Sequence, residues 1–142
     1  MNFEELMLRA LTNAESFKYT AKPNPVVGAI LWNGNEIISE GYHEVYGSHH
    51  AEINAISDAK KFLGKKFDNF SELTLICTLE PCSHVGKTGS CAKKIVSTGI
   101  KKVVIGSIDP NPKVAGKGIE ILKKNGVDVV VGIHEDIVKN QN

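Results

Sequence analysis

The sequence predicts a three-layer α/β fold in which a mixed five-stranded sheet is covered by helices on both faces. Short apolar segments rich in β-branched residues alternate along the chain with segments of helical periodicity. This is the order expected when parallel strands are connected through helices. The first two strand segments are instead separated by Asn33-Gly34-Asn35, turn residues that favour an antiparallel hairpin. We therefore expect an N-terminal hairpin followed by mostly parallel strands.

The first half of the chain predicts two helices and this hairpin. Apolar residues recur at three- and four-residue steps, which predicts an amphipathic helix over residues 3–18. The following KPNPVV ends it, because a residue that precedes proline disfavours the α region. The hairpin strands are VVGAILW (26–32) and EIISEGY (36–42). Residues 50–63 again have helical spacing, and Gly64 is the predicted stop.

The second half predicts strands and helices in strict alternation. Residues 73–79 (LTLICTL), 101–108 and 127–132 are short apolar runs and are predicted as buried strands. Residues 92–99 and 116–126 have helical patterns that close on glycine. The end of the chain allows one more short helix. Since no repeat, low-complexity tract or linker interrupts the pattern, residues 1–142 are predicted to form one domain.

Composition argues against several classes of partner. The chain has 17 basic and 16 acidic residues, and a net charge of +1 gives no electrostatic basis for binding nucleic acid or a membrane. No apolar run approaches the roughly 20 residues of a membrane span, and the N-terminus lacks a signal-peptide pattern. An odd number of cysteines, three, without an export signal suits reduced thiols. We therefore expect a cytoplasmic protein.

The segment LEPCSHVGKTGSC contains two of the cysteines at a spacing that suggests a metal site. Catalytic zinc is held by three protein ligands, commonly cysteine and histidine, and keeps a fourth position for water. His50, Cys82 and Cys91 supply such a set. Glu52 follows the histidine by two residues, in the H-x-E and P-C pattern of zinc deaminases, whose glutamate is not a ligand. We predict that Glu52 carries protons between the water and the substrate.

Helical geometry constrains how His50 and Glu52 are placed. Positions i and i+2 of a regular helix point about 200° apart, so His50 is expected at the start of its helix rather than inside it. His49 competes with His50 for the metal, but only His50 stands two residues before a glutamate.

Cys77 and His84 allow roles outside a catalytic centre. Cys77 lies in an apolar strand without a partner at ligand spacing, and is expected in the core. A purely structural zinc site would need a fourth ligand, for which His84, two residues after Cys82, is a candidate.

Matching segments extend far beyond the metal set. KPNPVVGAIL, EGYHEVYGSHHAEINAI, TLEPCSHVGKTGSC and IDPNPKVAGKGIEILKKNGVDVVVGI occur in this order between about residue 20 and residue 133. In these segments the chain resembles the deaminase domain of the bifunctional riboflavin-biosynthesis protein, diaminohydroxyphosphoribosylaminopyrimidine deaminase, of the cytidine deaminase-like superfamily. The eight residues between Cys82 and Cys91 are typical of this branch, whereas other members usually have two.

The resemblance implies a cytidine deaminase-like fold, Zn²⁺ as cofactor and hydrolytic deamination of a phosphorylated pyrimidine in riboflavin synthesis. The fold commonly self-associates, which allows a homo-oligomer. The resemblance also places six side chains at the substrate. They are Asn24 against the pyrimidine, His43, His84 and Lys87 in the pocket, and Asp109 and Asn111 toward the ribityl-type chain or phosphate.

Two features depart from the family pattern. Gly89 and Ser90 stand where the family usually has two prolines before the second cysteine, and we expect their loop to be less rigid. The sequence ends at Asn142, where the family's reductase domain would begin. We therefore expect either a monofunctional deaminase, with the reductase as a separate chain, or a protein from which that domain was removed.

Two other functions stay open from the sequence. The first is a related deaminase that acts on a nucleoside, a nucleotide or a tRNA base. A tRNA enzyme would be expected to carry a basic surface excess, which the net charge does not indicate. The second is a non-catalytic zinc-binding module on the same fold, against which the intact Glu52 argues.

Overall fold

The computed structural model describes residues 1–17, 26–43, 50–63, 70–83, 90–112 and 114–141, without the side chains of residues 62 and 63. Across these ranges, helices and strands follow each other in the order that the sequence predicts. The helices are α1 (Phe3–Ala14), α2 (Ala51–Leu63), α3 (Cys91–Ser97), α4 (Lys117–Lys124) and α5 (Glu135–Gln141). The strands are β1 (Gly28–Trp32), β2 (Ile37–Tyr42), β3 (Thr74–Leu79), β4 (Lys102–Ser107) and β5 (Asp128–Val131).

The strands form one five-stranded mixed sheet in the order β2-β1-β3-β4-β5. Strand β1 is antiparallel to both β2 and β3, whereas β3, β4 and β5 are parallel to one another. The predicted N-terminal hairpin and the parallel strands after it are therefore confirmed. The parallel arrangement places the carboxyl ends of β3 and β4 side by side at one edge of the sheet.

Helices cover both faces of the sheet, as predicted. Ile30, Ile76 and Val104 point toward the face covered by α1 and α5. Their neighbours along the strands point toward α2, α3 and α4, because successive strand residues alternate between faces. Cys77 belongs to this second core and is fully buried, which confirms its predicted structural position.

The helix boundaries differ from the predicted ones in small ways. Asn2 and Glu5 form a capping box that fixes the start of α1. The helix then ends at Ala14 and continues as a 3₁₀ turn, Glu15–Phe17, so the regular part is shorter than predicted. The short C-terminal helix is present as α5. The predicted stop at Gly64 lies outside the described residues. None of the helices in the described part of the chain is long and apolar enough to cross a bilayer.

Close packing between β2 and α2 fixes the first turn of that helix. Gly41 faces this turn, where a Cβ would overlap the carbonyl oxygen of Ala51. The Ser39 hydroxyl donates a hydrogen bond to the carbonyl oxygen of Ala55 at 2.7 Å. These contacts hold the beginning of α2, which contains Glu52, against β2.

An ion pair connects α1 to β2 on the other face. The Arg9 guanidinium donates to both carboxylate oxygens of Glu40, at 2.7 and 3.0 Å, and the Tyr42 hydroxyl donates to the same carboxylate at 3.0 Å. The hydrogen bond from Arg9 holds the pKa of Glu40 below its ordinary value. Burial raises the pKa of Tyr42 to about 12.

We predict that Arg9→Met lowers the free energy of unfolding at neutral pH by about 0.2 to 1 kcal/mol, the range measured for exposed ion pairs. Because the pKa of Glu40 is lowered in the folded state, the pair stabilises the protein above the ordinary carboxyl pKa. Its contribution is lost as the pH falls through the lowered pKa. Urea unfolding of Arg9→Met, Glu40→Gln and the double variant at several pH values measures this coupling energy. A coupling energy that stays constant into acid would contradict the assignment.

Candidate metal centre and active site

Three potential metal ligands converge beside the second helix. The Nδ1 atom of His50 and the Sγ atoms of Cys82 and Cys91 all lie within 4.8 Å of one another. His50 Nδ1 is 3.1 Å from Cys91 Sγ and 3.8 Å from Cys82 Sγ. Tetrahedral zinc with Zn–S of about 2.3 Å and Zn–N of about 2.0 Å requires nitrogen and sulfur about 3.5 Å apart. The two distances lie on either side of this value, so the donor set fits zinc in both chemistry and spacing.

Each ligand stands at the end of a regular element. His50 immediately precedes α2, and its carbonyl oxygen accepts a hydrogen bond from the Asn54 amide at 3.0 Å. It therefore starts the helix, as the spacing to Glu52 requires. Cys82 follows β3, and Cys91 is the first residue of α3. Because these three residues lie at or just outside the ends of a helix or strand, the regular pattern of that element does not fix their side-chain directions. The side chains can therefore point toward one another.

Hydrogen bonds join the two cysteine segments to each other. The Cys91 amide donates to Cys82 Sγ at 3.3 Å, and the Ala92 amide donates to the Cys82 carbonyl oxygen at 3.0 Å. The Ser90 hydroxyl donates to the same carbonyl at 3.1 Å. It also accepts a hydrogen bond from the Lys93 amide, so that Ser90 is the N-cap residue of α3. A proline at position 90 could make neither side-chain bond. The expected effect of Gly89 on loop rigidity concerns residues 84–89, which lie outside the described ranges.

The thiols share a strongly polarised environment. Hydrogen bonds from Cys91 and His50 lower the pKa of Cys82 to about 4. The pKa of Cys91 is raised, because its thiol donates to the Cys82 sulfur. The hydrogen bond to Cys82 raises the pKa of His50. A divalent cation that binds here has to displace the proton on Cys91 Sγ and any proton on His50 Nδ1.

Glu52 lies next to this set without belonging to it. It stands in the first turn of α2, and only 3% of its surface is exposed. Burial raises the pKa of its carboxyl group, an effect that its own backbone amide and the nearby His50 oppose. A raised pKa makes this carboxyl group a better proton acceptor than an exposed one, which suits a residue that takes up and passes on protons.

His43 is brought to the site from the end of β2. It is 2% exposed, and its ring meets the His50 ring edge-to-face, with the ring centroids 5.3 Å apart and the planes at 87°. Its backbone amide donates to the Val27 carbonyl oxygen at 3.1 Å. His43 therefore packs directly against a candidate ligand.

Asp109 and Asn111 lie on the loop that follows β4. The Asp109 carboxylate accepts a hydrogen bond from the Asn111 amide at 2.9 Å, which forms a local turn. The loop lies at the same sheet edge as the Cys82 segment, because β3 and β4 are parallel neighbours. Of the other predicted substrate contacts, Asn24, His84 and Lys87 lie outside the described residues.

An apolar cavity lies between this loop and α5. Its volume is about 610 Å³, and its walls include Leu79, Asp109, Pro110 and Val138. None of the three candidate metal ligands lines it, so the cavity is separate from the metal centre.

Sequence reasoning missed Glu80. Its side chain is 7% exposed and accepts hydrogen bonds from the backbone amides of Asp109, Gly116 and Ile119 at 2.9 to 3.1 Å. The available signal was an acidic residue directly after an apolar strand and before a proline. A charged residue at such a position has to find partners when it is buried.

Comparisons with known proteins agree with this chemistry. Residues 1–107 match the model of a family described as the cytidine and deoxycytidylate deaminase zinc-binding region. A diaminohydroxyphosphoribosylamino-pyrimidine deaminase of Buchnera aphidicola subsp. Schizaphis graminum is 44% identical over 127 residues, which cover 89% of this chain and 82% of that protein. The riboflavin biosynthesis protein RibD of Escherichia coli is 40% identical over 133 residues, 94% of this chain and 34% of that protein.

A solved structure shows the same architecture. It is a diaminohydroxyphosphoribosylaminopyrimidine deaminase/5-amino-6-(5-phosphoribosylamino)uracil reductase of Thermotoga maritima, 43% identical with a TM-score of 0.89. The match covers 98% of this chain and 38% of that one. The chain thus spans most of the Buchnera protein but only 34% and 38% of the two longer ones.

We predict that Cys82→Ser and Cys91→Ser each lose the metal, because a hydroxyl group is a much poorer zinc ligand than a thiolate. Metal analysis after dialysis should find about one zinc ion per wild-type chain and less than about a tenth of that in either variant. Cys77→Ala is the matched control, since Cys77 lies in the core and does not belong to the set of candidate ligands. Full zinc content in a folded Cys82→Ser protein would contradict the site.

Proposed function

Because this chain belongs to the cytidine and deoxycytidylate deaminase family, and within it to the diaminohydroxyphosphoribosylaminopyrimidine deaminases, we propose that its substrate is diaminohydroxyphosphoribosylaminopyrimidine. Family membership makes the protein a zinc-dependent hydrolytic deaminase. The observation that carries the choice of substrate is the match across most of the length of a Buchnera protein named for this reaction. In this proposal the chain serves riboflavin synthesis.

His50, Cys82 and Cys91 are the proposed zinc ligands. When bound there, zinc would make a water molecule acidic enough to act as the nucleophile. Two thiolate ligands and one neutral imidazole would offset the charge of the ion. Both sulfurs have to stay reduced for this purpose, which supports a cytoplasmic location.

Glu52 is the proposed proton carrier. Its buried carboxylate would take one proton from the attacking water and give it to the ring, and would then take the second proton from the added hydroxyl group and give it to the departing amine. The water oxygen forms a bond to the ring carbon, the bond from that carbon to the amino nitrogen breaks, and ammonia leaves. The contacts of α2 with β2 hold Glu52 at its place, so the carboxylate is positioned before the substrate arrives.

The remaining side chains would bind and orient the substrate. The packing of His43 on the His50 ring supports a role in which it fixes the imidazole and forms one wall of the pocket. Asp109 and Asn111 are proposed to face the ribityl-type chain or the phosphate. Asn24, His84 and Lys87 are proposed contacts from the family resemblance alone.

A reductase is the expected partner in the pathway. The Thermotoga relative is named for both a deaminase and a uracil reductase. We propose that residues 1–142 form the deaminase unit and that a reductase, in the same protein or in another chain, uses the product.

We predict that Glu52→Gln lowers the rate of ammonia release by at least about a hundredfold, because the amide cannot carry the proton. Its zinc content should equal that of the wild type, since Glu52 lies outside the ligand set. Asp58→Asn, at an exposed position of the same helix, is the matched control and should keep the wild-type rate. A Glu52→Gln protein with normal turnover would remove Glu52 from the mechanism.

The choice of substrate is tested on the same wild-type preparation. We expect ammonia release from diaminohydroxyphosphoribosylaminopyrimidine and at least about a hundredfold lower kcat/KM with cytidine or deoxycytidylate, whose rings lack its additional amino substituents. Turnover of cytidine without turnover of the pyrimidine intermediate would discard the proposed substrate.

A further inference from the structure

Glu80 connects the metal-binding segment to a loop that is distant in the sequence. It lies two residues before Cys82, and its carboxylate is almost completely buried. One oxygen accepts hydrogen bonds from the amides of Asp109, at 3.1 Å, and Gly116, at 2.9 Å. The other oxygen accepts from the amide of Ile119 at 3.1 Å. All three donors belong to the segment between β4 and the first turn of α4.

These bonds provide α4 with the cap that its own sequence lacks. Gly116 is the N-cap residue, has a φ of 84° and has no side chain that could accept the first amides of the helix. Glu80 accepts the amides of Gly116 and Ile119, which would otherwise be left without an acceptor at the helix start. The negative carboxylate also lies at the positive end of the helix dipole.

A second contact brings the same two segments together. Gly118, in the first turn of α4, approaches Pro81 so closely that a Cβ would overlap the Pro81 carbonyl oxygen. The same Cβ would stand 3.3 Å from the Cγ atom of Glu80. Since Pro81 directly precedes Cys82, the helix start packs on the backbone that carries a candidate metal ligand.

We propose that Glu80 is a positioning residue that sets the place of the Asp109–Asn111 loop relative to the metal centre. The inference rests on the proposed function, because it takes Asp109 and Asn111 to bind the part of the substrate distant from the reacting ring. Glu80 holds both ends of the segment that contains them and is joined through Pro81 to Cys82. It acts on how the substrate is held, through the loop, and not on the bond that breaks.

Glu80→Gln is the sharpest variant, because it keeps the size of the side chain. The amide replaces one acceptor oxygen by a donor, which would face a backbone N–H and lose at least one hydrogen bond. We expect KM for the pyrimidine substrate to rise about tenfold, as for the loss of one hydrogen bond to a charged group. We expect kcat to stay within about twofold, because the interaction does not change between ground state and transition state. Zinc content should be unchanged, and Glu72→Gln, at an exposed position, is the matched control.

Amide hydrogen exchange tests the same connection without any substrate. In Glu80→Gln the amides of Asp109, Gly116 and Ile119 should exchange about tenfold faster or more, as expected for lost hydrogen bonds. The amides of β2 should exchange as in the wild type. Unchanged exchange at these three amides would overturn the proposal, as would unchanged KM in an active enzyme. A lower kcat with lost zinc would also overturn it, since Glu80 would then support the metal and not the loop.

Gly118→Ala provides a second variant if Glu80→Gln does not fold. The added methyl group would push α4 away from Pro81, so the same rise in KM and the same faster exchange are expected. Lys117→Ala, at the exposed neighbouring position, is its control. If the wild-type protein releases no ammonia from the pyrimidine, the proposed function fails, and the exchange experiment still decides whether Glu80 holds the loop.

Discussion

The convergence of one imidazole nitrogen and two sulfurs is the constraint on which the rest of the structure depends. His50, Cys82 and Cys91 come from the start of α2, the end of β3 and the start of α3, yet their ligand atoms lie within 4.8 Å. Any shift of one element would open this set. Gly41 lets α2 approach β2, and Ser90 ties the beginning of α3 to the Cys82 segment. Metal binding at this set would therefore depend on the packing of three elements and would in turn stabilise them.

Topology places the proposed substrate loop at the same sheet edge as the Cys82 segment. Strands β3 and β4 are parallel neighbours, so the segments that follow them leave the same sheet edge. In open α/β sheets, ligand sites form at the carboxyl ends of the strands. Here one of these segments carries Cys82 and the other carries Asp109 and Asn111. The buried carboxylate of Glu80 fixes the position of the second segment relative to the first, because it accepts hydrogen bonds from backbone amides of the second segment.

Much of this could be predicted from the sequence, because the relevant signals are local. The Asn33-Gly34-Asn35 turn predicted the hairpin, and alternating strand and helix patterns predicted the parallel part of the sheet. The spacing of His50 and Glu52 required the histidine to start its helix, as it does. The partners of Glu80 are backbone amides 29 to 39 residues away, which no local pattern reveals. The apolar periodicity predicted a helix to residue 18, but the α-helix ends at Ala14 and a 3₁₀ turn follows. Periodicity does not distinguish an α turn from a 3₁₀ turn.

X-ray absorption spectroscopy of the zinc-loaded protein tests the metal centre most directly, because it counts the ligands and measures their distances. We predict two sulfur atoms at about 2.3 Å and two nitrogen or oxygen atoms at about 2.0 Å, one from His50 and one from a solvent molecule. A coordination shell without sulfur, or one completed by a further protein side chain so that no position is left for water, would contradict the proposed centre.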